Sequence, residues 1–171
     1  MSDHYSLWLT FPQPLEDNLS DHVRALARQT KGPVFQPHVT LVGDLTLDRA
    51  REIFASGRIG PIAPRLQGRF GSLTHGSTYF QSLFLEVVLP VQIAKARQQL
   101  LDELGIAPAY PPHVSLAYGS LTGEVPKPQL DRIEATFSNQ PAPLAFLALV
   151  ASAEDRPVES WKIIERLPLN V

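Results

Sequence analysis

Cysteine is absent from the 171 residues, which excludes disulfides, thiolate zinc sites and cysteine nucleophiles. No apolar run is long enough to span a bilayer. The opening Met1-Ser2-Asp3-His4 has no basic segment leading into an apolar run, so no signal peptide is expected and the cytoplasm is the expected location. An excess of charge is missing too. The formal net charge of -2 argues against sequence-independent binding of duplex nucleic acid, which needs clustered cations, and leaves a small anionic ligand in a local pocket compatible. Several catalytic signatures are also lacking: no Gly-rich loop ends in Lys-Ser or Lys-Thr, and there is no G-x-S-x-G elbow and no H-E-x-x-H helix. No histidine pair has helical or knuckle spacing, so zinc would lack its third and fourth ligands; a metal held by two strand histidines and Asp44 is the remaining metal alternative.

What is present is a repeated phrase. Pro37-His38-Val39-Thr40-Leu41 returns as Pro112-His113-Val114-Ser115-Leu116, each followed by a glycine, Gly43 and Gly119. The spacing of His, any residue, then Ser or Thr is not distinctive alone, because four of the 5 histidines satisfy it, His4 with Ser6 and His75 with Ser77 included. The surrounding Pro, Val and Leu single out the central two. His4 and His75 read as structural, and His22 lies on the polar side of a helix.

The length suits one bilobal domain over residues 1–171, expected to fold alone as a monomer. Along the chain, 5–10 alternates as a strand, and Leu15, Leu19, Val23 and Leu26 place an amphipathic helix over 14–29. The first His phrase is a strand and 48–55 a short helix. A long hairpin follows, with strands near 65–74 and 78–89 joined at His75-Gly76-Ser77. Pro90 opens the next helix and Gly105 closes it, before the second His phrase as a strand. A helix over 128–137 and strands near 144–152 and 159–167 complete an α+β fold. The helix-then-PHV[TS]L unit occurs once per half, which predicts a pseudo-twofold arrangement around a cleft.

Strand alternation points His38 the same way as Thr40 and His113 the same way as Ser115, with Val39 and Val114 turned into the core. If both strands border the cleft, two imidazoles and two hydroxyls converge. That set suits a cyclic phosphodiester. One histidine takes a proton from water, the other protonates the leaving ribose oxygen, and the hydroxyls donate to the non-bridging oxygens without a metal. Trp8, Trp161, Tyr79 and Phe80 read as core residues, with base stacking the alternative. Arg65 and Arg69 share a strand face that reads as solvated, with a second phosphate as the alternative.

These motifs resemble the 2H phosphoesterases, which are named for two H-x-[ST] motifs, and more closely their cyclic phosphodiesterase branch, whose plant and yeast members open ADP-ribose 1'',2''-cyclic phosphate. The likeness extends to Tyr5-Ser6-Leu7-Trp8, to the segment from Tyr79 to Leu85 and to Val158-Glu159-Ser160-Trp161. It implies two antiparallel sheets flanking a central cleft with helices outside, His38 and His113 as catalytic residues, and Thr40 and Ser115 as phosphate ligands. Tyr118 matches a tyrosine that contributes to phosphate binding in the plant-like members. His113 is taken as base and His38 as acid, although the reverse suits the sequence equally. The expected activity is cofactor-free and metal-independent hydrolysis of a cyclic phosphate on a nucleotide or nucleotide-sugar, ADP-ribose 1'',2''-cyclic phosphate or nucleoside 2',3'-cyclic phosphates for example, to a monophosphate. Two alternatives stand beside it: an RNA-ligase-like 2',3'-cyclic phosphodiesterase acting on RNA ends, and a non-catalytic module that binds a phosphonucleotide.

Overall fold

The halves of the sheet are joined through one register pair. In the computed structural model, which describes residues 4–61, 67–107, 111–120 and 125–169, eight strands form one antiparallel order, β6-β3-β4-β5-β2-β1-β7-β8. The strands are β1 (Tyr5–Thr10), β2 (Val39–Leu45), β3 (Gly68–Thr78), β4 (Gln81–Val88), β5 (His113–Ala117), β6 (Pro141–Ala142), β7 (Phe146–Ala151) and β8 (Lys162–Pro168). In place of two separate sheets there is one continuous sheet, whose four-stranded halves β6-β3-β4-β5 and β2-β1-β7-β8 join at the register pair Val39–Val114. Each phrase thus forms the inner edge of its own half.

Four helices complete the α+β fold: α1 (Leu15–Thr30), α2 (Leu47–Ala55), α3 (Val91–Leu104) and α4 (Lys127–Phe137). α1 buries Leu19, Val23 and Leu26, starts with Glu16 and Asp17, and ends near Arg28, a charge order that complements the helix dipole. α3 stops at Gly105, whose φ of 65° is the left-handed cap that glycine adopts without a Cβ clash. The packing is reciprocal: α1 from the first half lies on β5, and α3 from the second lies on β2. Leu7, Leu9, Val39, Leu41, Val114 and Leu116 fill the core beneath the helices with no exposure. On the sheet's other face Trp8 packs with Ala148 and Val150. No helix among the described residues is long and apolar enough to cross a membrane.

Three local expectations need correction. The hairpin turns at Tyr79-Phe80, not at His75-Gly76-Ser77, because Gly76 lies within β3 at a register irregularity. A Cβ there would come 1.8 Å from the Gln81 carbonyl oxygen, so this glycine serves a close backbone approach inside a strand. Pro141–Ala142 adds a short edge strand that the sequence reading omits. The last strand begins at Lys162, after a 3-10 turn over Val158–Ser160.

Candidate active site

β2 and β5 bring the two phrases together by register. Counting outward from the Val39–Val114 pair, His38 stands against Ser115 and Thr40 against His113, so each imidazole faces the other phrase's hydroxyl. Both valines are fully buried on the helix side. His38, Thr40, His113 and Ser115 line one cavity of about 200 Å³ on the opposite side, and Tyr118 lies in its wall. The structure therefore assembles all five sequence-predicted residues.

The histidines are held alike. His38 Nδ1 lies 2.7 Å from the Gln36 carbonyl oxygen, and His113 Nδ1 lies 3.0 Å from that of Pro111, in each case two residues back. A carbonyl only accepts, so Nδ1 carries the proton in both rings and Nε2 keeps its lone pair. The Pro37 and Pro112 rings set the extended backbone that makes this short contact possible.

Their surroundings differ. His38 is only 6% exposed, and Trp8 lies flat on its ring with centroids 3.5 Å apart. Burial pushes its pKa down to about 4, opposed by the Gln36 bond and reinforced by the charge of His113. His113 is half-buried against Phe84 at 4.8 Å. Its pKa is also lowered, first by burial and then by the Arg97 guanidinium, with the Pro111 bond working the other way. Arg97 itself donates from Nε to the Leu41 carbonyl at 3.0 Å.

The hydroxyls differ too. The Ser115 hydroxyl donates to the Phe80 carbonyl at 3.0 Å, whereas the Thr40 hydroxyl makes no hydrogen bond among the described residues. Tyr118 is buried and stacked on Phe35 at 3.9 Å.

The aromatic residues serve both readings: Trp8 is buried in the core and Phe80 and Trp161 pack against it, and all three also line the cavity. Trp161 stays half-buried, its Nε1 donating to the Ala153 carbonyl at 3.0 Å, and it stacks on Phe80 with centroids 5.8 Å apart. Tyr79 is exposed at the hairpin turn. Alternation in Tyr5-Ser6-Leu7-Trp8-Leu9-Thr10 was the available signal: Trp8 shares a face with two hydroxyl residues and stands opposite Thr40.

Asp44, Glu154 and the hydrogen-bonded pair Ser6 and Ser152 also line the wall. Asp44 Oδ1 lies 3.6 Å from His4 Nδ1, and no three His, Asp or Glu side chains gather as a metal site among the described residues. His75 is exposed on β3. His22 is not on a purely polar helix face, since it packs edge-on against Phe137 at 5.4 Å. Arg69 donates to the Asn139 carbonyl at 3.0 Å, and Arg65 lies outside the described residues.

Comparison with known proteins places this geometry among relatives. The family model described as cyclic phosphodiesterase-like protein matches residues 1–169. A cyclic phosphodiesterase of Arabidopsis thaliana is 27% identical over 176 residues, covering 98% of this chain and 96% of the relative. Two solved structures share the fold. TT0787 of Thermus thermophilus gives a TM-score of 0.61 at 18% identity, covering 97% of each chain. LigT of E. coli complexed with 3'-AMP gives 0.53 at 15% identity, covering 100% of each.

Proposed function

The chain belongs to the cyclic phosphodiesterase-like family, and from that premise we propose that it hydrolyses a nucleotide cyclic phosphate to a monophosphate by two-histidine acid–base catalysis. The observation that carries this reading is the mirrored hold on the two rings: each Nδ1 is tied to a backbone carbonyl, and both rings line one cavity with Thr40 and Ser115. The LigT complex with 3'-AMP supports a nucleotide-sized ligand for this fold.

The asymmetry between the rings favours His38 as base and His113 as acid, the reverse of the first assignment made from sequence. When one proton is shared between the two, it resides on the ring whose pKa is less depressed. Burial and the neighbouring imidazole keep His38 neutral, while His113 is the less buried ring. His38 Nε2 takes a proton from water as the water oxygen bonds to phosphorus. The bond from phosphorus to one ring oxygen breaks, and that oxygen receives the proton from His113 Nε2. Thr40 and Ser115 donate to the non-bridging oxygens, and Tyr118 borders the phosphate. Most of the acceleration then comes from positioning and electrostatic stabilisation.

The test is turnover by purified protein of nucleoside 2',3'-cyclic phosphates and ADP-ribose 1'',2''-cyclic phosphate in the presence of EDTA, beside His38→Ala and His113→Ala. Each alanine variant is expected to lose about 10²- to 10⁴-fold in kcat/KM, the usual contribution of a general acid or base. Activity that survives both changes, or that EDTA abolishes, overturns the mechanism.

A further inference from the structure

The charges around the cavity discriminate between the two substrate classes that the proposed reaction leaves open. Among the described residues its wall carries two carboxylates, Asp44 and Glu154, and no lysine or arginine. Of the residues not described, Arg65 is the one cationic side chain. Arg97, the cation that acts on His113, is turned to the Leu41 carbonyl and lines a neighbouring cavity. A groove that shares Phe80 and Glu154 with the active site does hold Lys31 and Arg156, but Glu154 and Glu159 balance them.

A cyclic phosphodiester carries a single negative charge. One imidazolium and the hydroxyls of Thr40 and Ser115 match that charge. A diphosphate arm would bring two more negative charges toward Asp44 and Glu154 with no excess of cations to receive them, and like charges brought together in a partly enclosed site repel strongly enough to set specificity. Carboxylates accept hydrogen bonds, so these two suit ribose hydroxyls and base amino groups. Phe80 and Trp161 supply a ring face for the base, their planes 26° apart. Asp44 stands on the rim with a left-handed backbone, φ 56°, and its carboxylate lies 3.6 Å from His4 Nδ1.

Resting on the proposed hydrolase reading, we infer that the substrate is a nucleoside cyclic monophosphate, and that Asp44 and Glu154 turn away cyclic phosphates attached through a diphosphate.

The experiment measures kcat/KM for adenosine 2',3'-cyclic phosphate and ADP-ribose 1'',2''-cyclic phosphate at low and high salt. The variants are Asp44→Asn, which the left-handed backbone tolerates, Glu154→Gln and the double change. Wild type is expected to prefer the nucleoside substrate by about tenfold or more at low salt, with the gap narrowing as salt screens the repulsion. The double variant is expected to shift the ratio toward the diphosphate substrate by about tenfold. A wild-type preference for the diphosphate substrate, or a ratio that the variants leave unmoved, overturns the inference and leaves the hydrolase reading standing. A loss confined to the diphosphate substrate in Lys31→Ala or Arg156→Ala also overturns it, by making the adjoining groove a diphosphate site. No turnover of either substrate by wild type overturns the hydrolase reading itself.

Discussion

The indole of Trp8 lies on the imidazole of His38 with ring centroids 3.5 Å apart and planes 5° from parallel. Strand pairing produces the stack, since Trp8 stands opposite Thr40, two residues from His38 on the same face. The indole therefore fixes the plane of the ring, while the Gln36 carbonyl fixes its rotation. Trp8→Leu removes the first restraint and keeps the second. Such a loss of alignment is expected to lower kcat about 10- to 100-fold with little change in KM, and Trp8→Phe is expected to restore most of it. An imidazolium quenches indole emission, so in a Trp161→Phe background the fluorescence of Trp8 should fall as pH drops through about 4, the value to which His38 is pushed. An emission profile that is flat through that range would show that the stack does not report on His38.

The pH dependence of kcat/KM follows from the two free imidazoles. The base must be neutral, and His38 stays neutral down to about pH 4. The acid must be protonated, and His113 lies below the ordinary imidazole value of 6.5. A bell is expected with its maximum between about pH 4 and 6.5, its limbs reporting the coupled pair. Initial rates at low substrate across pH 3.5 to 8 check this, and a maximum above pH 7 would contradict it.

How much of this was readable beforehand differs between fold and site. The order of strands and helices was legible because Leu15, Leu19, Val23 and Leu26 keep a helical period and because Pro90 and Gly105 mark the ends of α3. The grouping of His38, Thr40, His113 and Ser115 at one cavity was legible because the two phrases repeat the same five-residue context. Phe80 was not. Its place on the cavity wall depends on where the hairpin turns, and Gly76 marked a close approach to Gln81 instead of the turn. Trp8 is the core residue that the sequence suggests, yet it also walls the cavity, because apolar character alone does not say which face of a sheet a side chain occupies. Asp44, near the end of β2, and Glu154, in the turn after β7, are far apart in sequence, and the strand order β2-β1-β7 brings them to one rim.

Burying a histidine in neutral form also couples folding to pH. His38 has an ordinary pKa near 6.5 when unfolded and about 4 when folded, so between those values the unfolded chain binds more protons. Stability is therefore full above about pH 6.5 and falls as pH drops toward 4, by roughly 3 kcal/mol from this group over the whole window. His113 and His22, also lowered chiefly by burial, act in the same direction. Urea unfolding at pH 7 and pH 4.5 measures the loss, and His38→Gln, which has no imidazole to titrate, should show a smaller one. Equal losses in the two proteins would place the acid sensitivity elsewhere.

The two hydroxyls should not be equivalent, although the repeated phrase makes them look so. Ser115 already donates its proton to the Phe80 carbonyl at 3.0 Å and must break that bond before it can serve a phosphate oxygen. The Thr40 hydroxyl makes no hydrogen bond among the described residues, so its proton is available when the phosphate arrives. Losing a donor that the phosphate uses at no internal cost removes a whole charge-assisted hydrogen bond, about 1.5 to 3 kcal/mol or roughly 10- to 100-fold in kcat/KM. Thr40→Val is expected to show that full loss, with β-branching and shape preserved. Ser115→Ala is expected to lose less, about three- to tenfold, because the interaction with phosphate replaces one already made within the protein. The Phe80 carbonyl, left without its donor, moves the cost of Ser115→Ala toward stability, so its urea midpoint should fall more than that of Thr40→Val. Steady-state kinetics and urea unfolding on the two variants separate the effects. A larger catalytic loss for Ser115→Ala than for Thr40→Val would mean that the Phe80 bond is part of the working site.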